Sequence, residues 1–242
     1  MERRILFINH NRFKEIVPDR IDTVIVPVGT IEAHGITPLG TDVIIPERMA
    51  CDIAGEIDAL VAPTVSYGVA RSLCGHPGTL AIGSEVFEIY MSDIVTSLAK
   101  VGFGKIIVLN GHGGQIDELK SALFRVSREY NTRTLLINWW YELEDLRKSI
   151  LKRQGGHAGS DETACIMAID ASLVEKDLLE EKMFMRHTQQ FSAYPFPGSI
   201  ITYSDGDSSL NLDENACKKF YQAVTKRLVE LIRNVLQGWE SI

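Results

Sequence analysis

The amino-acid order predicts an α/β fold, a three-layer α/β/α single domain over residues 1–242 with a mainly parallel sheet. Three observations predict it. Short β-branched or aliphatic runs alternate with segments whose apolar residues recur at helical spacing. No Pro/Gly/Ser-rich linker, low-complexity tract or internal repeat divides the 242 residues. The longest apolar runs are strand-sized, far short of the ~18 residues that suggest a membrane span. Alternation of this kind places helices on both faces of a parallel sheet, with right-handed connections.

The first strand is Thr23 to Val28, a β-branched run ending near Gly29. Residues 46–57 carry Met49, Ile53 and Ile57 at helical spacing, and residues 60–65 read as a short strand. Residues 85–101 carry Phe87, Tyr90, Ile94 and Leu98, a second helix. A compact strand at 105–109 leads to a helix at 116–130 with Leu119, Leu123 and Val126 in line. Residues 134–138 form another strand. Ser160 is an N-cap candidate for a helix through Ala168. Phe220, Val224, Leu228, Leu231 and Val235 make 214–236 a long amphipathic helix that closes the domain. Residues 184–213, with Pro195 and Pro197, are the least regular and read as a lid, an oligomer arm or a loop.

Composition excludes several function classes. With 45% hydrophobic and 24% charged residues the chain is neither collagen-like, a disulfide scaffold nor intrinsically disordered. It has 25 basic and 32 acidic residues, a net charge of −7, and no basic block to neutralise a run of phosphates. Nucleic-acid and membrane partners are therefore not expected. Cys51, Cys74, Cys165 and Cys217 form no C-x-x-C pair and read as reduced core residues. The first residues lack a signal-peptide pattern, so a cytoplasmic location is expected.

In a parallel sheet ligands bind at the carboxyl ends of the strands. Three such segments carry unusual residues. Gly29-Thr30-Ile31-Glu32-Ala33-His34-Gly35 places Glu32 and His34 two apart, on one side of an extended segment, and Pro38-Leu39-Gly40-Thr41-Asp42 lets Asp42 return to them. Asn110-Gly111-His112-Gly113-Gly114-Gln115 ends the 105–109 strand. Gly155-Gly156-His157-Ala158-Gly159-Ser160-Asp161-Glu162 leads into the 160–168 helix. Carboxylates and imidazoles suit a divalent first-row metal. Four of the six histidines, His34, His76, His112 and His157, fall in Gly-rich post-strand or loop segments, whereas His10 and His187 read as surface residues. Asp205-Gly206-Asp207 starts like a calcium loop but lacks its closing Glu. No phosphate-binding lysine loop and no serine-hydrolase elbow is present.

These segments resemble the creatininase (creatinine amidohydrolase) family. The matching stretches are Pro27 to Gly35, Pro38 to Asp42, Tyr67-Gly68, Pro77 to Leu80, Gly102 to Gly114 and His157 to Thr163, spread over about residues 20–170. The resemblance implies a three-layer α/β/α domain, assembly as a homo-oligomer, commonly a hexamer, and two divalent metals, often zinc, manganese or iron. It carries metal-ligand roles onto Glu32, His34, Asp42 and His112, with Asp42 bridging. Creatininase itself has a glutamate ligand where this chain has Gly114. Either Glu162 or water then completes the second metal, or only one metal binds tightly; Glu162 is favoured, as ligand or general base. His157 matches the histidine taken as proton shuttle, and Gln115 stands where many members have asparagine. Trp139 and Trp140, beside Tyr141, could wall a flat substrate, and Tyr67, Ser72 and His76 could face the pocket. The implied activity is metal-dependent hydrolysis of an amide or formamide in a small substrate. Ring-opening C–C hydrolysis of a keto-cyclitol is the alternative, and a catalytically silent metal-stabilised oligomer a third reading. The departure at Gly114 argues against creatinine. A phosphorylated substrate would need a basic residue at the pocket, for which Arg71 is a candidate.

Overall fold

A computed structural model describes residues 1–179, 193–194 and 210–241. Four parallel strands, β1 (Thr23–Val28), β2 (Leu60–Val61), β3 (Lys105–Asn110) and β4 (Arg133–Asn138), form a sheet in the order β2-β1-β3-β4. Val28 pairs with Asn110 and Asn110 with Asn138, so these three strands end level at one carboxyl edge. β1 is buried throughout, because alternate side chains serve opposite cores. Ile25, Ile107, Leu109 and Ile137 pack with α2 (Thr41–Ile53), α6 (Ser160–Asp170) and α7 (Glu214–Trp239). Val24, Val26, Ile106 and Val108 pack with α1 (His10–Ile16), α3 (Ser84–Lys100) and α4 (Ile116–Tyr130). The outcome is the expected three layers of helix, sheet and helix. A short helix α5 (Glu144–Leu146) runs on into a π-helical turn at Arg147–Leu151.

Two elements differ from the sequence reading. The strand expected at 60–65 is regular only over Leu60–Val61. Ala62 N donates to Ile25 O, but the next rung comes from Val65 N to Pro27 O, one residue late. Pro27 has no N–H to offer the partner strand at that point, so the chain bulges there. The helix expected at 46–57 instead spans Thr41–Ile53, with Pro46 inside it. Pro46 leaves the Asp42 carbonyl without its helical donor.

That carbonyl packs against the sheet edge. A Cβ on Gly29 would lie 2.2 Å from Asp42 O, and one on Gly111 would lie 2.0 Å from the same atom. Only glycine at the ends of β1 and β3 admits the first turn of α2, and that turn carries Asp42. Gly111→Ala is therefore expected to cost about 1–3 kcal/mol, as overpacking against backbone does, read as a lower urea midpoint. An unchanged midpoint would contradict the packing.

Among the cysteines, Cys165 and Cys217 are buried, Cys51 is partly buried and Cys74 is exposed, and all four are free. The expected core placement thus holds for two and fails for Cys74, which sits on the loop after β2. His10 is exposed at the start of α1. His187, the Asp205-Gly206-Asp207 segment and most of the irregular 184–213 stretch lie outside the described residues.

Candidate metal centre

Glu32 and His34 stand on the loop after β1. That loop is stitched by Glu32 N to Leu39 O at 3.0 Å and Thr37 Oγ1 to His34 O at 2.9 Å. Asp42 lies in the first turn of α2, and His112 stands two residues past the end of β3. Asn110 holds the His112 backbone from both sides, accepting from its N–H at 3.1 Å and donating to its carbonyl at 2.7 Å. His157 precedes α6, and Glu162 lies in its first turn. The cap residue of α6 is Gly159, not Ser160. Asp161 instead accepts from the Gly156 and Glu162 N–H groups, and Glu162 Oε2 from Ala158 N.

The three imidazoles share one arrangement. His34 Nδ1 faces Glu32 O at 2.9 Å, His112 Nε2 faces Val69 O at 2.9 Å, and His157 Nε2 faces Ala33 O at 2.8 Å. A carbonyl only accepts, so each of these outer nitrogens carries the proton. Each ring then points its other nitrogen at the carboxylates. His34 Nε2 is 3.0 Å from Asp42 Oδ1 and 3.9 Å from Glu162 Oε2. His112 Nδ1 is 2.9 Å from Asp42 Oδ2 and 3.1 Å from Glu32 Oε1. His157 Nδ1 is 3.4 Å from Glu32 Oε1. Outer N–H groups fixed on carbonyls are the usual support of metal-ligating histidines.

The donors fall into groups whose ligand atoms lie within 4.8 Å of one another: Glu32, Asp42 and His112; His34, Asp42 and Glu162; and Glu32, His34 and His157. Asp42 belongs to the first two, with one oxygen toward each. Its buried Oδ2 has no hydrogen-bond partner, although His112 Nδ1 lies 2.9 Å away. A close nitrogen–oxygen approach without hydrogen-bond geometry, at a buried carboxylate, is what a shared cation would satisfy. The nitrogen and oxygen donor set fits a divalent first-row ion.

Without an ion the cluster must hold protons instead. Burial disfavours a charged His34, but the Asp42 carboxylate outweighs it and raises the pKa to about 10. His112, equally buried, is raised by Glu32 and Asp42. Burial and the neighbouring His34 lower His157 to about 4. Burial, with Asp42 and Asp161 nearby, raises Glu162 well above the carboxylate range. The folded pKa of His34 lies above its ordinary 6.5, so its contribution to stability is complete below 6.5 and lost as pH rises through about 10. Chelator-stripped protein is therefore expected to melt at progressively lower temperature across that window. Metal-loaded protein, in which an ion replaces the proton, is not. A flat or rising melting temperature in the stripped protein would contradict the coupling.

The cluster opens into a cavity of about 590 Å³ lined in part by Glu32, Asp42, His112, His157, Glu162 and Trp140. Ser72 and Tyr141 also line it. Trp140 and Tyr141 meet edge-on at 5.5 Å between centroids. Trp139 is 1% exposed and packs in the core under α2, α6 and α7. Tyr67 is exposed and His76 partly buried, and neither lines the cavity. Arg71, Asp161 and Tyr194 do line it. Of these only Arg71 is anticipated by the sequence. Asp161 is paired with Arg147 at 3.0 Å and carries a signal, an acid beside Glu162, that the sequence reading does not use. A Cβ on Gly114 would meet His112 Nε2 at 2.4 Å and Val69 O at 2.6 Å, so this backbone leaves no room for a glutamate at that position.

Fold and site together define an α/β protein with a candidate divalent-metal centre at the carboxyl edge of a parallel sheet. The family model for creatininase, creatinine amidohydrolase, matches residues 8–232, and the chain belongs to that family. It is 31% identical over 159 residues to a 3-dehydro-scyllo-inosose hydrolase of Thermotoga maritima, covering 61% of this chain and 50% of that one. It is 36% identical over 114 residues to a mycofactocin precursor peptide peptidase of Mycolicibacterium smegmatis, covering 43% of this chain and 44% of that one. The chain thus spans about half the length of these curated relatives. Solved creatininases in manganese and zinc–zinc forms superpose with TM-scores of 0.84 and 0.82, at 18% identity, over 97% of this chain and 98% of theirs. At that identity the superposition establishes the fold.

Proposed function

We propose that the protein is a divalent-metal-dependent hydrolase that cleaves the C–N bond of an amide or formamide in a small substrate. Glu32, Asp42 and His112 would hold one ion and His34, Asp42 and Glu162 a second, zinc, manganese or iron suiting the donors. The observation that carries this reading is the Asp42 carboxylate, buried at a sheet edge with each oxygen facing a different set of donors. A divalent ion in such a place lowers the pKa of water and polarises a carbonyl. His157, its Nε2–H held by the Ala33 carbonyl, presents Nδ1 to the site and can take a proton there and pass it to the leaving nitrogen. Glu162 holds the Ala158 N–H and with it the turn that carries His157. Trp140 and Tyr141 offer a flat wall.

A second reading, ring-opening C–C hydrolysis of a keto-cyclitol, is favoured by the likeness to the Thermotoga hydrolase. Both readings need the same centre. Elemental analysis of protein purified without chelator is expected to find between one and two divalent ions per chain. A screen of formamides, cyclic amides and keto-cyclitols then separates the two by product. No bound metal, and no uptake of added zinc or manganese, would overturn both.

A further inference from the structure

Arg71, on the loop after β2, is the one Lys or Arg among the described residues that line the cavity. Its guanidinium is built in rather than free. Nη1 donates to the Gly114 carbonyl, and Nη2 donates to a Glu118 carboxylate oxygen and to Ser84 Oγ, the latter at 3.1 Å. Ser84 Oγ donates to the same Glu118 oxygen. Glu118 is 5% exposed, in the first turn of α4, and its second oxygen has no hydrogen-bond partner. Burying a carboxylate is costly unless a cation meets it. A surface stitch between loop and helix would not require a buried acid.

The placement is also tied to the metal centre. The chain over 69–71 runs beside 112–114, joined by His112 Nε2 to Val69 O and by Arg71 to Gly114 O. The guanidinium therefore keeps a fixed offset from the His112 ring. These contacts occupy three of its five N–H donors, and two remain. They are the Nε–H and one Nη1–H; both guanidinium forks run through Nη2, whose hydrogens are taken, so each free N–H meets an anionic oxygen as a single charge-assisted hydrogen bond.

We infer that Arg71 is a specificity-determining residue that selects substrates bearing an anionic group, a carboxylate or a phosphate, at a set distance from the bond that is cleaved. The inference rests on the hydrolase reading of the same cavity. Three metal-chelating hydroxamates test it by calorimetry on metal-loaded protein: acetohydroxamate, succinate monohydroxamate and its phosphonate-tailed analogue. At least one anionic tail is expected to improve affinity by about tenfold or more over the neutral compound, and comparison of the two tails separates carboxylate from phosphate. That ratio is expected to fall to about one in Arg71→Met and to be partly kept in Arg71→Lys. Equal binding of all three compounds to the wild type, or a ratio that survives Arg71→Met, overturns the inference and leaves the hydrolase reading standing. Failure of every hydroxamate to bind overturns both.

Discussion

Asp42→Ala is expected to lose bound metal and hydrolytic activity together. The proposed centre has two halves, and Asp42 is common to both, so its removal takes a ligand from each ion. Its two oxygens face His34 at 3.0 Å and His112 at 2.9 Å. Without it, Glu32, His34, His112 and Glu162 no longer converge on a shared anion. Metal content should fall from between one and two ions per chain to a small fraction of one, and turnover to background. The substitution lies in the first turn of α2, where it also removes an acid from the positive end of the helix, a loss of about 0.3–1 kcal/mol. Unfolding therefore has to be measured alongside. A folded Asp42→Ala protein that keeps its full metal content would remove the bridging role.

The second large effect is kinetic. His157→Ala should keep the metal and lose turnover by about 10²–10⁴-fold, the range expected for a positioned general acid–base. Its Nε2–H is held by Ala33 O at 2.8 Å, so the proton has to travel through Nδ1. In the ion-free cluster burial and the adjacent His34 lower the His157 pKa to about 4. Elemental analysis together with initial rates separates this role from ligation. Wild-type turnover in the variant would dismiss the proton role, and loss of metal would move His157 among the ligands with Glu32 and His34.

The sheet was largely legible because strands buried on both faces read as unbroken aliphatic runs. Lys105–Asn110 and Arg133–Asn138 differ from the expected strands by one residue at an end. Local rules failed where a proline acted on its surroundings. Pro27 shortened a neighbouring strand, and Pro46, which the sequence suggests as a helix start, lies in the interior of α2. The six clustered acids and histidines were visible because each follows a strand or opens a helix beside glycines. The rest of the cavity was not. Trp139 and Trp140 are adjacent in the turn after β4, yet Trp139 is buried in the core while Trp140 lines the cavity. Arg71 is placed by Glu118, 47 positions away, a pairing that no local pattern announces. Tyr194 reaches the lining from a segment with no regular period.

The carbonyls behind the three imidazoles bear on which ion the protein would carry. Rings pinned from behind cannot swing to suit an ion's preferred geometry, and they remain aimed when an ion leaves. The pocket is thus prepared in advance, and exchange should be governed by how readily an ion sheds its water rather than by rearrangement of the chain. Carboxylates and imidazoles discriminate weakly among first-row divalent ions beyond their general order of affinity. The occupant would then follow the supply of ions in the growth medium, so preparations from zinc-rich and manganese-rich cultures should differ in their metal while sharing one fold.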